Sequence, residues 1–179
     1  MTDFAAGWDS FYVIVGAAAG ALIGLQFVVL TLIAQGPPRG PGGAAFATPT
    51  IVHFSVSLLL CALMRAPWPT FAYPAASWGL IGAGGVVYTA LIGWRMARQT
   101  VYRPVLEDWA LHLAAPIVAY ALLASAAPLA FGHMTIAEFA VAASALMLLF
   151  IGIHNAWDSI AFHVFHTLAG SRRERQDGG

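Results

Sequence analysis

Five stretches in which apolar residues run almost unbroken divide the chain: Phe11 to Ala34, Ile51 to Met64 with a Pro-rich extension to Tyr73, Ala75 to Trp94, Trp109 to Phe131 and Ile136 to Trp157. A helix that is hydrophobic all round belongs in a core or in a bilayer, and most of these stretches exceed the ~20 residues needed to cross about 30 Å of hydrocarbon. The second is shorter, because Arg65 ends its apolar run and Pro67 and Pro69 follow. A cationic side chain at a helix end can snorkel to the interface, which lets that segment span. The pattern predicts an all-α fold, a polytopic membrane helix bundle of five transmembrane helices, the alternative being four with a re-entrant second segment. Residues 1–170 form one bundle domain and residues 171–179 a polar cytoplasmic tail.

Composition sharpens this class. Of 179 residues, 60% are hydrophobic and 9% charged, with a mean hydropathy of +0.77, far from the roughly 25% charged residues of soluble domains. The first apolar run lacks a preceding basic region, follows Asp3 and Asp9, and is longer than a signal-peptide core, so it is expected to remain as a membrane helix. Cys61 is the lone cysteine, which excludes an intrachain disulfide and any site built from several thiolates. No basic block is present to bind nucleic acid. All eight basic residues are Arg, a usage that fits a GC-rich bacterial gene and points to the bacterial inner membrane.

With five crossings, Arg39, Arg95, Arg98, Arg103, Arg172, Arg173 and Arg175 share one side, and Arg65 lies opposite with Asp3, Asp9, His133 and Glu138. The positive-inside rule then puts the N-terminus outside and the C-terminus in the cytoplasm. The four-crossing arrangement separates the arginines less well and moves His53 to the outer side. Trp8, Phe11, Tyr12, Trp68, Phe71, Tyr73 and Trp78 gather near the outer boundary, as an interfacial aromatic belt does.

Helix one carries Gly16, Gly20 and Gly24 at intervals of four, with Ala17 and Ala21 beside them. Small residues at this spacing let two backbones approach closely. The stripe is read as packing within the bundle, with Gly79, Gly82, Gly85 and Gly93 of helix three as candidate partner, or as the seam of a homodimer or larger membrane complex. Gln26 and Thr31 on the same helix need hydrogen-bond partners in lipid.

Ionisable side chains are costly inside a bilayer and default to a functional reading. Asp108 and His112 lie four apart on helix four, His154 and Asp158 four apart on helix five, and His53 about a turn inside helix two. Four residues is close to one helical turn, so each pair shares a face, and antiparallel helices bring all five residues to a similar depth near the cytoplasmic side. Imidazoles with carboxylates suit zinc or non-haem iron, with the carboxylates as direct ligands or as groups orienting the imidazoles. A bis-histidine haem on His112 and His154 is a second use of the same parts. A proton relay for a small transporter is a third, although the outer half offers it few polar steps. The structural alternative makes Glu107 and Asp108 helix N-terminal residues and the histidines satisfied buried groups, leaving a structural or regulatory membrane subunit without chemistry. His163 and His166 precede Arg172 and Arg173 and read as interfacial. GxSxG, nucleotide-loop and HExxH patterns are lacking, so no reaction is named, although metal-activated water acting on a lipid or quinone is compatible with the cluster.

Overall fold

The computed structural model describes the backbone of residues 2–34, 42–98 and 106–177, and the side chains of residues 7–32, 49–98, 106 and 109–161. Among the described residues every regular element is helical: α1 (Thr2–Ala34), α2 (Gly42–Arg65), α3 (Ala72–Arg98), the short α4 (Leu106–Trp109), a π-helical stretch (Ala110–Ala114), α5 (Ala115–Leu129) and α6 (Met134–Asp177). α4, the π stretch and α5 run on without a break, so the described residues make five long helices. Four segments are long and apolar enough to cross a membrane, residues Gly7–Leu32, Ala72–Arg98, Ala110–Leu129 and Met134–Ala161, and Pro49–Arg65 is a shorter apolar helix.

α2 is a single helix from Gly42 to Arg65 and does not double back, even with Pro49 inside it. Its first turns come from residues 42–50, which the hydropathy pattern assigns to a connection because Gly, Ala and Thr are only weakly apolar. At 1.5 Å per residue its 24 residues reach about 36 Å. α6 is likewise longer than its apolar run: its 44 residues continue the helix through the segment expected as a polar tail. Residues 171–177 carry three Arg, a Glu and a Gln, which favour helix whether or not anything packs against them.

The helices alternate in direction. Ala66 to Phe71 turn the chain between α2 and α3, with the Trp68 indole N–H donating to the Leu63 carbonyl at 2.6 Å. At the same end His133 N–H closes α5 onto the Leu129 carbonyl at 2.7 Å before α6 begins. In lateral order α1 packs on α2, α2 on α6, α6 on α5 and α5 on α3, with α1 also touching α6. Trp8 of α1 meets Phe139 of α6 edge to face at 4.9 Å, and Asp9 pairs with Arg65 across α1 and α2. These contacts define an Arg65 end of the bundle. The opposite end carries Arg95 and Arg98.

Gly79, Gly82, Gly85 and Gly93 of α3 face the rod of α5 and the π stretch, not α1. A Cβ on Gly82 would lie 2.7 Å from the Ala124 Cα, one on Gly93 would lie 2.6 Å from a Leu113 methyl, and one on Gly85 would overlap the Tyr120 ring. In lipid, helices gain nothing hydrophobic by meeting, so van der Waals contact at close approach has to hold them, and this seam provides it. The stripe on α1 is used only in part. Gly16 packs against Cys61 Cβ at 3.1 Å, whereas Gly20 and Gly24 meet nothing within 4 Å. Partnership between the α1 and α3 glycines is therefore replaced by two separate seams, because α2 takes the α1 face and α5 takes the α3 face.

Phe54, Leu60, Trp78, Tyr120, Leu123 and Leu148 fill the fully buried core. Large apolar side chains also cover the outside, among them Ile14, Phe27, Leu80, Val87, Phe131 and Phe150. Apolar surface on this scale marks contact with lipid or another protein and not with water, as expected of a bundle with spanning helices.

Candidate functional site

The π stretch has a local cause. Pro116 has no N–H to give the His112 carbonyl, and its ring crowds that carbonyl four residues back. The chain answers by widening, and the Ala115 N–H bonds to the Ala110 carbonyl, five residues away. Single π turns inside α-helices are frequent at functional sites, and this one carries His112.

Two turns beyond, Tyr120 points from α5 toward α2. Its hydroxyl lies 3.1 Å from His53 Nδ1, with the two rings 5.8 Å apart. His53 is 1% exposed and Tyr120 fully buried. The hydrogen bond leaves two assignments. With its proton on Nδ1, His53 donates to the Tyr120 oxygen and keeps a lone pair on Nε2; with the proton on Nε2, the Tyr120 hydroxyl donates. His112 lies within electrostatic reach of His53. The interior between α2 and α5 thus holds an imidazole and a phenol in contact, with the half-buried His112 about two turns from Tyr120 along the same rod.

α6 closes this interior. Gly152 allows the Phe54 ring to lie against its backbone, and the Ser57 hydroxyl donates to the Ala145 carbonyl at 2.9 Å. One turn further toward the Arg98 end, Asn155 is 2% exposed, and neither its Oδ1 nor its Nδ2 has a hydrogen-bond partner. Thr50 is buried on the facing part of α2, and Gln26 is buried on α1. Other hydroxyls settle on their own helix, Ser144 on Ala140, Ser159 on Asn155 and Thr31 on Phe27.

The five residues singled out by depth are distributed as follows. His53 is buried against Tyr120, and His112 is half-buried on the π stretch. His154 and Asp158 pair with each other, Nε2 to Oδ2 at 2.9 Å, on the outer part of α6, with side chains 33% and 48% exposed. The side chain of Asp108, like those of His163 and His166, lies outside the described residues. Among the described residues no three His, Cys, Asp or Glu side chains gather as a set able to hold a metal ion. Among the described residues His154 pairs with Asp158 on its own helix, at i, i+4, and not with a group across the bundle, so shared depth did not become convergence.

Sequence reasoning missed Tyr120 and Asn155. Both were visible as polar groups within apolar runs, but attention to titratable groups passed over a phenol and an amide. Their burial is what distinguishes them. The chain matches no family profile, no curated protein and no solved structure.

Proposed function

We propose that this chain is a multi-pass protein of the bacterial inner membrane that binds a transition-metal ion, zinc or iron being the first candidates, in the bundle interior near the Arg98 end. In this reading all five long helices cross, the N-terminus is outside and the arginine-rich end is cytoplasmic. The observation that carries it is His53: a fully buried imidazole held at Nδ1 by the Tyr120 hydroxyl, with a second imidazole, His112, in electrostatic reach. Metal-bound histidines are usually fixed by a hydrogen bond from the other ring nitrogen, which sets the tautomer and aims the ligating lone pair. Tyr120 is placed for that role. Two imidazoles are fewer than the three protein ligands of most catalytic zinc sites, so the remaining positions fall to water and to Asp108, the carboxylate four residues before His112.

Elemental analysis and an absorption spectrum of detergent-purified protein test this. The expected result is one metal per chain, lost in His53→Ala and in His112→Ala and retained in His133→Ala. Protein without stoichiometric metal overturns the reading, and a Soret band replaces it with haem. Orientation is tested by impermeant maleimide in a Cys61→Ala background: a cysteine at Thr70 labels from outside, one at Ala97 only after lysis. The reverse pattern overturns the orientation. Both positions are exposed, unlike His53.

A further inference from the structure

We infer that the outer face of α3 at the Arg98 end is a docking site for one anionic phospholipid of the adjoining leaflet, its phosphate held by Arg95 and Arg98 and an acyl chain laid along Val87, Ala90, Leu91 and Trp94. The inference rests on the reading of α3 as a membrane-spanning helix and is independent of any metal.

α3 packs by its glycine side on α5, and Val87, Leu91 and Trp94 point away from the bundle, each more than half exposed. Side chains three and four apart share a helix face, so these three enclose a groove with the small Ala90 between them, about 380 Å³ in volume. One turn beyond Trp94, Arg98 lays its guanidinium over the indole, 4.2 Å from the ring centroid. Arg95 is exposed beside it and within electrostatic reach of Tyr88, two turns back along the helix. Among the described residues neither arginine has a carboxylate within ion-pairing distance.

An apolar groove that ends on two guanidinium groups fits an amphiphile with a negative head and an apolar tail. Guanidinium meets phosphate with two parallel N–H donors, and stacking on Trp94 holds the Arg98 group at the mouth of the groove before anything binds. Basic side chains at a membrane surface draw anionic lipid in the same way. The length agrees: Val87 lies about 16 Å from Arg98 along the helix, close to half of the roughly 30 Å hydrocarbon thickness, which is the reach of a chain from one leaflet. A second copy of this protein fits the face less well. Copies in one membrane share an orientation and meet about a two-fold axis, which sets Arg95 and Arg98 of one against Arg95 and Arg98 of the other, like charge on like charge.

The test uses the full chain, delipidated in detergent and titrated with dioleoyl phosphatidylglycerol or dioleoyl phosphatidylcholine, with bound lipid counted by native mass spectrometry. Wild type is expected to bind its first phosphatidylglycerol about 10-fold or more tighter than phosphatidylcholine, and Arg95→Gln and Arg98→Gln each to lower phosphatidylglycerol affinity about fivefold. Arg65→Gln, at the other end of the bundle, is expected to change neither lipid. Ala90→Phe fills the groove without touching a charge and is expected to weaken phosphatidylglycerol binding by a factor similar to that of the arginine variants. The substituted residues are exposed, so all four variants are expected to unfold close to the wild-type temperature. Equal affinity of wild type for the two lipids overturns the docking site. So does a loss in Arg65→Gln as large as that in Arg98→Gln, which assigns the effect to net charge, and so does undiminished binding in Ala90→Phe, which empties the groove of its role. Wild type that is dimeric in detergent and becomes monomeric as Ala90→Phe gives the face to a second copy and overturns the lipid. The crossing of α3 is read separately by maleimide labelling at Thr70 and Ala97, so that reading and this one fail by different results.

Discussion

The seam between α3 and α5 and the junction of α2, α5 and α6 share one helix and solve opposite problems. On one side of α5, Gly82, Gly85 and Gly93 admit Ala124, Tyr120 and Leu113, and the contact is dry and close. On the other, His53, Tyr120 and Asn155 put polar atoms where hydrocarbon would be cheaper. Tyr120 belongs to both, its ring seated over Gly85 and its hydroxyl on His53. A membrane bundle needs the first kind of contact to assemble at all. The second costs stability and persists when something outside packing depends on it. Close apolar packing is thus set against buried polar contact, with Tyr120 in both.

The sharpest way to break the comparison is to overfill the glycine seam. Gly82→Val sets a branched side chain against the Ala124 backbone, which has no rotamer with which to yield, and is expected to cost about 3 kcal/mol or more. Gly84→Val two residues on, where a Cβ meets nothing within 4 Å, is expected to change stability only by the small helix-propensity difference, which favours Val, and unfolding of both in detergent checks the contrast. Equal losses would mean that the seam is not what holds α3.

Tyr120→Phe keeps the ring over Gly85 and removes the hydroxyl from His53. It is expected to destabilise by about 1 kcal/mol while metal affinity falls by an order of magnitude or more. Lost stability with unchanged affinity would assign Tyr120 to packing alone. Smaller still is the Arg65 end, where Asp9 and Arg65 pair with both side chains about half exposed. Arg65→Gln is expected to shift stability by no more than about 1 kcal/mol, and a larger loss in thermal unfolding would mean that the ion pair lies in a drier setting. Last comes α1, where Gly16 is packed and Gly20 is open. Gly20→Leu is expected to leave the unfolding free energy within about 0.5 kcal/mol of wild type. A change in assembly size on a sizing column would show that this face meets a second chain.

Several of these features were legible in the residue pattern and several were not. The five apolar runs, the polar breaks at Pro67, Gly132 and the Arg95 to Arg103 segment, and the antiparallel alternation follow from spacing alone, because length and hydropathy decide which segments suit hydrocarbon. His53 was legible as a buried histidine for the same reason. The widened turn at His112 had a written cause in Pro116, yet its form, a π turn and not a kink, depends on what the neighbouring helices leave room for.

What the sequence by itself determined is the helical, apolar class of the molecule, the number of long helices among the described residues and the position of each polar residue along its helix, since those depend on one chain counted along its length. The tertiary structure alone decided which helix faces which. It gave the α3 glycines to α5, turned His154 to Asp158 on its own helix, and brought Tyr120 to His53 across 67 positions of sequence. Depth is a property of one helix, whereas azimuth acquires meaning only against neighbours. Two side chains at equal depth meet when packing rotates their helices toward each other, and that rotation is set by every contact in the bundle together.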